Sequence, residues 1–449
     1  MTRSLLWTVP LWLPGVASAQ DPPTGNQPAP DRTAQDALQS ELAKIVAVAS
    51  PVERRAAADA LAIRFEWKLD QLRAAMKVFG TFRAETPGRS RVDIPLWTGK
   101  ALEKTPLHLY VPKGYDPKKP APLLVIGHWT GGTGDRASPG WIGFAEQTGA
   151  LLLAPSEAGA NGGWAFSIRE RESVLAAIRY MRLRFNVDES RIWCTGVSRG
   201  GHMAWDLALR YPDLFAAIAP MIGGPRIKRV QGQNNIRYVE NLVDLPIRDL
   251  QGSKDDKYLV ANLRLAFKRM KELGARDAKL IEFPKLGHAY DINAVDWVKF
   301  FGNARRNPRP ERVLRMMATQ RETRSFWIEV LEKDKSRVKV VPQIPAIAAF
   351  NRMDDKGQRE YVARAVERRT ARLEAKILGN GKFMAKAKYV RKFRILLEPD
   401  MFDPKKRVLV RYKARDRRFK VTLSKQVLCR EFADRFDRTF LPVAEVVVR

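Results

Sequence analysis

Residues 192–201 read Ile192-Trp193-Cys194-Thr195-Gly196-Val197-Ser198-Arg199-Gly200-Gly201, and they indicate the fold more clearly than any other segment of the 449-residue chain. The first four residues are typical of a buried strand, and a helical pattern follows Gly200. A serine between a strand and a helix sits in a tight turn, where glycine two positions to either side lets the two elements pass closely. Gly196 and Gly200 meet this requirement. Because a helix N-terminus favours negative charge, Ser198 is predicted to be a nucleophile.

Short apolar runs alternate with helical patterns on both sides of this turn, across residues 91–306. The alternation predicts an α/β fold with a doubly wound, mostly parallel sheet. The predicted strands are residues 107–111, 123–126, 151–154, 192–195, 217–221, 247–250 and 279–283. The predicted helices are residues 169–185, 200–211, 259–273 and 292–301. Such sheets bind ligands beyond the carboxyl ends of their strands, so the loops at those ends are the candidate site.

The chain has only four histidines from which a base for the serine can come. His108 alternates with leucines in a strand, which favours a structural role. His202 lies four residues after Ser198 on the helix that follows it, whereas the triad needs a base from a separate loop. His128 precedes the serine in the chain. His288 follows the strand that ends at residue 283, precedes a helix and comes after the serine, as the order of this kind of triad requires. His288 is therefore the predicted general base.

The acid that orients the histidine is expected between the serine and the histidine, in the loop after a late strand. Residues 250–256 fit that place and read Leu250-Gln251-Gly252-Ser253-Lys254-Asp255-Asp256. Asp255, three residues after Gly252, is the preferred acid, and the adjacent Asp256 stays an open alternative.

The oxyanion of the reaction needs two N–H donors. One is expected from Arg199, directly after the serine. The other is expected from the glycine-rich turn after residues 123–126, which reads Gly127-His128-Trp129-Thr130-Gly131-Gly132-Thr133-Gly134. Glycines there allow a close approach of backbone to ligand, and Trp129 and Thr130 are both candidate donors. A flexible surface loop is the alternative interpretation.

The N-terminus has the pattern of a cleavable signal peptide over residues 1–19. Arg3 precedes a short apolar run, and Ala17-Ser18-Ala19 is typical of a cleavage site. The run is too short for a membrane span, and it contains Pro10 and Pro14, so export without membrane insertion is expected. Residues 20–32 have linker composition. Residues 33–90 are predicted to hold two helices. The second has a start signal, with Ser50 as N-cap, Pro51 in the first helical position and Glu53 completing a capping box, and it continues through one apolar stripe from Leu61 to Phe79.

The C-terminal part, residues 307–449, is predicted to be a basic β-sandwich-like domain with a helix near residues 358–366. Its predicted strands are residues 326–331, 338–341, 372–377, 393–397, 408–412, 419–423 and 443–448. Residues 303–449 hold 39 Lys and Arg against 18 Asp and Glu, a net +21 of the chain's +31. Such charge attracts anionic polymers, but a composition bias on a solvated surface is the preferred interpretation, and contact with an anionic polymer stays an open alternative. The basic residues are scattered among acidic ones without a nucleic-acid-binding motif, so specific nucleic-acid recognition is not expected.

The only two cysteines, Cys194 and Cys429, are far apart in the sequence. Cys194 lies in an apolar run, so it is interpreted as a buried thiol and the fold is expected to depend on packing rather than disulfides.

With these residues in place, the chain resembles secreted α/β-hydrolases of the dienelactone-hydrolase-like, polyhydroxybutyrate-depolymerase-like and prolyl-oligopeptidase-like kinds. The resemblance runs from about residue 98 to residue 310. Its motifs are residues 187–192, 196–205 and 211–217, then 241–242, 245–247, 252–255 and 287–288. These enzymes usually have glycine after the histidine of the oxyanion turn, whereas Trp129 follows His128 here. The resemblance implies a narrowed pocket on that side.

These observations predict a serine hydrolase that cleaves small-molecule or polymeric carboxylic esters through an acyl-enzyme, with a Ser198-His288-Asp255 triad. The chemistry needs neither cofactor nor metal. The same groups cleave amides, so a serine peptidase of the prolyl-oligopeptidase-like type is one alternative. A non-catalytic protein that binds through its basic C-terminal domain is another.

Overall fold

The structure is a computed structural model, and it describes residues 32–449 apart from residues 65, 157–163, 228–233, 343 and 345–346. The predicted signal peptide and nearly all of the predicted linker lie outside the described residues. Within the described part of the chain, no helix is long and apolar enough to cross a membrane.

Three helices come first in the described chain. They are α1 (Arg32–Ala47), α2 (Pro51–Arg64) and α3 (Leu69–Lys77). Pro51 opens α2, and the backbone N–H of Glu53 lies 3.5 Å from the Ser50 hydroxyl, as the sequence predicts for a capped start. The prediction of one continuous helix across the apolar stripe is wrong. Residues 66–68 are not helical, and α3 begins where the Gln71 side chain accepts the Lys68 N–H at 3.0 Å.

An eight-stranded sheet forms the centre of the molecule, and its strand order is β1-β2-β4-β3-β5-β6-β7-β8. Strands β3 to β8 run parallel to one another, whereas β1 pairs with β2, and β2 with β4, in antiparallel fashion. The strands are β1 (Gly88–Trp97), β2 (Leu102–Val111), β3 (Ala121–Gly127), β4 (Leu151–Pro155), β5 (Val187–Val197), β6 (Ala217–Met221), β7 (Ile247–Gly252) and β8 (Ala278–Phe283). All seven predicted strands of this region are present. The additional β1 begins at Gly88, inside the segment predicted to be helical.

Helices cover both faces of this sheet, which confirms the doubly wound arrangement. They are α4 (Gly134–Ala137), α5 (Ile142–Thr148), α6 (Ile168–Arg184), α7 (Arg199–Arg210), α8 (Lys257–Glu272) and α9 (Trp297–Asn303). Along β3, Leu123 and Val125 belong to a core with α6, α7 and α8, whereas Leu124 and Ile126 belong to a core with α5 and α9. This division follows from the alternation of side chains along a strand.

The C-terminal part contains two smaller sheets, with strand orders β10-β11-β14-β17 and β16-β15-β13-β12-β9. Their strands are β9 (Arg312–Met317), β10 (Arg324–Ser325), β11 (Ile328–Lys333), β12 (Ala371–Gly379), β13 (Lys382–Lys388), β14 (Val390–Leu397), β15 (Val408–Tyr412), β16 (Arg415–Phe419) and β17 (Ala444–Val448). The sheets pack face to face, with the rings of Phe393 and Tyr412 5.3 Å apart. This confirms the sandwich-like architecture.

This part is not all-β, since it contains α10 (Asp355–Glu367), as predicted, and α11 (Lys425–Arg435), which was not predicted. Two predicted strands are wrong. Residues 338–341 do not join a sheet, because the Arg237 guanidinium binds the carbonyls of Lys339 and Val340 at 3.0 and 2.8 Å. Residues 419–423 lie mostly beyond β16, which pairs with β15 around a turn with positive φ at Lys413 and Ala414.

The N-terminal helices pack on α11 rather than on the central sheet. Their shared core joins Leu38, Leu42, Leu61, Leu72 and Met76 to Leu428 and Phe432. From α6, the Arg179 guanidinium binds the carbonyls of Val46, Ala433 and Asp434 at 3.2, 3.0 and 2.7 Å. The two ends of the described chain therefore form one structural unit. Both cysteines are buried and carry free thiols.

Candidate active site

The serine turn lies between β5, which ends at Val197, and α7, which begins at Arg199. Ser198 has a φ of 56° and a ψ of −112°, a conformation that an L-residue adopts only under strain from its surroundings. A Cβ on Gly200 would lie 2.0 Å from the Gly127 oxygen, and one on Gly196 would lie 2.4 Å from the carbonyl carbon of Gly200. Glycine is therefore required at both positions for β3, β5 and α7 to approach this closely.

The structure brings Ser198, His288 and Asp255 into one hydrogen-bonded chain. His288 Nε2 lies 2.9 Å from Ser198 Oγ, and His288 Nδ1 lies 2.8 Å from Asp255 Oδ2. The histidine side chain is 52% exposed, whereas that of Asp255 is 7% exposed. The imidazole thus faces solvent on one side and a buried carboxylate on the other.

The two neighbouring aspartates have different partners. Asp255 accepts hydrogen bonds from the Gln251 amide at 2.8 Å and from the Asp256 N–H at 2.7 Å. Burial by itself would raise the pKa of Asp255, but these bonds and the bond to His288 hold the pKa below its usual value. Asp256 instead caps α8, where it accepts the N–H groups of Tyr258 and Leu259. The carboxylate that contacts the histidine is therefore that of Asp255.

The other three histidines have different hydrogen-bond partners. His108 lies on β2 and contacts Asp135 at 3.7 Å. His128 is fully buried, with Nδ1 2.8 Å from the Trp129 carbonyl, and burial lowers its pKa. His202 packs against Gly224, and burial, helped by Arg226, lowers its pKa to about 4. Among the described residues, His288 is the one histidine hydrogen-bonded to Ser198.

The glycine-rich turn after β3 lies beside the serine turn. A Cβ on Gly200 would lie 3.0 Å from the His128 oxygen, and that oxygen accepts the Trp164 indole N–H at 2.9 Å. The Gly132 N–H donates to the Trp129 carbonyl at 3.0 Å, and the Trp129 side chain is 37% exposed. Trp129 and Thr130 therefore follow a backbone segment that contacts α7. The N–H of Ser198 itself donates to the Met221 carbonyl at 2.8 Å, so it is engaged in the sheet.

Sequence reasoning missed Gln251 and Trp164, which hold the acid and the glycine-rich turn in place. Gln251 is the penultimate residue of β7 and is fully buried, and its available signal was a polar side chain directly before the Gly252 turn. Trp164 contacts His128 from 36 residues away, and nothing in its local sequence indicates that contact.

No family model matches the chain. Feruloyl esterase C of Emericella nidulans is 35% identical over 125 residues, which cover 26% of this chain and 45% of the esterase. Poly(3-hydroxyalkanoate) depolymerase C of Paucimonas lemoignei is 39% identical over 56 residues, which cover 12% of this chain and 14% of the depolymerase. A solved structure described as a thermostable esterase is 25% identical to this chain. The aligned region covers 47% of this chain and 60% of the esterase, with a TM-score of 0.36.

The chain thus spans less than half the length of the curated relatives that it matches. Their matches confirm the resemblance to polyhydroxybutyrate-depolymerase-like esterases. The central sheet supplies the independent structural evidence, with six consecutive parallel strands and the serine turn directly after the strand at its centre. The sheet topology and the serine turn are those of the α/β-hydrolase fold, and the two esterase-type sequence matches agree with it.

Proposed function

We propose that the protein hydrolyses carboxylic esters through an acyl-enzyme formed on Ser198. The observation that carries the proposal is the continuous hydrogen-bonded chain from Ser198 Oγ through His288 to Asp255. A histidine or an aspartate with a purely structural role would not need to be aligned with a serine held in a strained turn. The sequence matches to a feruloyl esterase and a polyester depolymerase support an ester as the substrate.

In the proposed reaction, Ser198 Oγ attacks the acyl carbon while His288 Nε2 takes its proton. Asp255 accepts the His288 Nδ1–H and stabilises the imidazolium. The N–H of Arg199 and an N–H of Trp129 or Thr130 bind the oxyanion. His288 then returns the proton to the alcohol oxygen as the C–O bond breaks. A water molecule attacks the acyl-enzyme by the same steps and releases the acid.

A fluorophosphonate probe and two substrate sets test this proposal. We expect the probe to label the protein and to fail on Ser198→Ala, whereas Ser336→Ala, at an exposed turn of the C-terminal part, keeps the labelling. We expect p-nitrophenyl acyl esters to be hydrolysed much faster than peptidyl arylamides. Turnover of proline-containing arylamides without turnover of esters would favour the peptidase instead. Absence of labelling in the wild type would favour a non-catalytic protein.

We also propose that residues 1–19 are a signal peptide and that the enzyme acts after export. The support is the charged start, short apolar run and small-residue cleavage site of the sequence. N-terminal sequencing of the exported protein is expected to begin at Gln20. A protein that retains Met1 in the cytoplasmic fraction would contradict the proposal.

The basic C-terminal part is proposed to contact an anionic polymer. Exposed lysines and arginines lie on the neighbouring strands β13, β15 and β16 and directly beside them, namely Lys382, Lys386, Lys388, Arg411, Lys413, Arg415, Arg418 and Lys420. Binding to a heparin matrix is expected to weaken steeply with salt, because exposed charges are screened. Elution of the protein without retention at low salt would contradict this contact.

A further inference from the structure

Two arginines lie on segments next to the nucleophile, and their side chains have no part in the proposed triad. Arg199 follows Ser198 directly, and Arg226 lies in the segment after β6. That segment contacts the serine turn, since a Cβ on Gly223 would lie 2.4 Å from the backbone carbonyl oxygen of Ser198. Both arginines therefore lie at the carboxyl end of the sheet, where α/β folds bind their ligands.

One aromatic ring holds both guanidinium groups. The Cζ of Arg226 lies 4.4 Å from the centroid of the Phe166 ring, and the Cζ of Arg199 lies 5.7 Å from it. Phe166 is 2% exposed and has a φ of 62°, so its ring is fixed by the backbone and by burial. Both cations are thus held by the same ring, and the charge of Arg199 acts on Arg226.

Within the described part of the chain, neither guanidinium has a carboxylate partner. The nearby Asp206 is occupied, since it binds Arg171 and Arg210 at 3.0 Å and the Asn235 amide at 2.9 Å. Burial and, to a smaller extent, the positive charge of Arg199 lower the pKa of Arg226 to about 10, although the negative charge of Asp206 opposes the shift. In the described part of the chain, Asp206 is the carboxylate that acts on Arg226, and it is already paired with two other arginines. With so little counter-charge among the described residues, the two half-buried cations favour an anion beside them.

We infer that Arg199 and Arg226 bind a carboxylate carried by the ester substrate. A planar guanidinium fork matches a carboxylate in a bidentate manner, and the second arginine adds charge without a further hydrogen-bond requirement. The substrate class is therefore a carboxylate-bearing ester, with the carboxylate on either the acyl or the alcohol side. This inference rests on the proposed function, because it assigns specificity to the same site.

Two matched substrate pairs test the inference and locate the carboxylate. For the acyl side, p-nitrophenyl hemiadipate is compared with p-nitrophenyl hexanoate, and for the alcohol side, 4-acetoxybenzoate is compared with 4-acetoxybenzamide. We expect kcat/KM to favour the anionic member of one pair by at least about 10-fold at low salt, with the preference falling as ionic strength rises.

Substitutions of Arg226 test whether the arginines cause the preference for the anionic substrate. Arg226→Gln is expected to lower the anionic-to-neutral ratio of kcat/KM by about 10-fold or more, and Arg226→Lys by less, because it keeps the charge but loses the fork. Arg83→Gln removes an exposed arginine from the segment before β1 and is expected to leave the ratio unchanged. Fluorophosphonate labelling of each variant reports the fraction of protein with a reactive Ser198, and circular dichroism reports the fold.

Each outcome separates this inference from the proposed function. Ester hydrolysis without a preference for either anionic substrate overturns the carboxylate site and leaves the esterase proposal intact. The same holds for a preference that survives both Arg226→Gln and Arg199→Gln. A wild-type protein that neither reacts with the fluorophosphonate nor hydrolyses any of the four esters overturns the proposed function, and the carboxylate site with it.

Discussion

Replacing Gly200 with alanine sets two physical effects against each other. Gly200 lies in the first turn of α7, where alanine has the higher helix propensity, worth up to about 1 kcal/mol of stabilisation. The new Cβ would lie 2.0 Å from the Gly127 oxygen and 2.4 Å from the Gly127 carbonyl carbon, where ordinary contacts begin near 3.4 Å. Both neighbours are backbone atoms at the end of β3, so relief requires α7 to move by more than about 1 Å.

Overpacking of this kind costs about 3 kcal/mol or more when backbone has to shift. We therefore expect Gly200→Ala to lower the free energy of unfolding by about 2 kcal/mol net, and to reduce fluorophosphonate labelling because α7 carries the serine turn. Urea unfolding followed by tryptophan fluorescence measures the first effect. Gly143→Ala in α5 is the control, since its Cβ meets nothing within 4 Å, and it is expected to stabilise by about 0.5–1 kcal/mol. Equal stabilisation by both substitutions would refute the close approach of β3 and α7.

Three further predictions follow from contacts elsewhere. Asp255→Asn is expected to lower kcat for esters by about 1000-fold or more with the fold retained, whereas Asp256→Asn is expected to keep kcat near the wild-type value. Equal losses of kcat in the two variants would contradict the assignment of Asp255 as the acid. Because the folded pKa of His202 is about 4, below its ordinary 6.5, the folded state is stabilised above pH 6.5, and stability falls by up to about 3 kcal/mol as the pH drops from 6.5 to 4. Urea unfolding at pH 7 and pH 5 is expected to show a smaller difference for His202→Gln than for the wild type. Arg179→Met removes three hydrogen bonds to carbonyls and is expected to destabilise the docking of α1 by about 2–4 kcal/mol. Faster proteolysis of residues 32–79 measures this effect. Arg55→Met, which removes an exposed ion pair, is the control and is expected to leave the rate of proteolysis unchanged.

The central sheet could be predicted from the sequence because each of its parallel strands is a short apolar run with local boundaries. The order of Ser198, Asp255 and His288 in the chain then restricted the candidate site to the loops after three of these strands. Asp255 and Asp256 could not be separated in this way. Their difference depends on which carboxylate caps α8 and which one turns toward His288, and that is decided by the backbone geometry of the loop.

The remaining errors arise where a local pattern has a non-local cause. The apolar stripe from Leu61 to Phe79 continues across the break between α2 and α3, because both helices present that face to the same core with α11. Residues 338–341 have the β-branched composition of a strand, but their carbonyls bind Arg237 instead of a neighbouring strand. Arg226 carried no local signal either, since its importance depends on Phe166 and Arg199.

The packing of α1–α3 on α11 has a consequence for how the chain folds. The ribosome makes these helices first, and their apolar partner α11 more than 300 residues later. Closing so long a loop has an entropic cost and is slow, so this docking is expected among the last events of folding. Until then the faces of Leu38, Leu42 and Leu72 are open to water or to other chains. Removing α1–α3 would leave the apolar face of α11 permanently exposed, and removing α11 would do the same to the apolar faces of α1–α3.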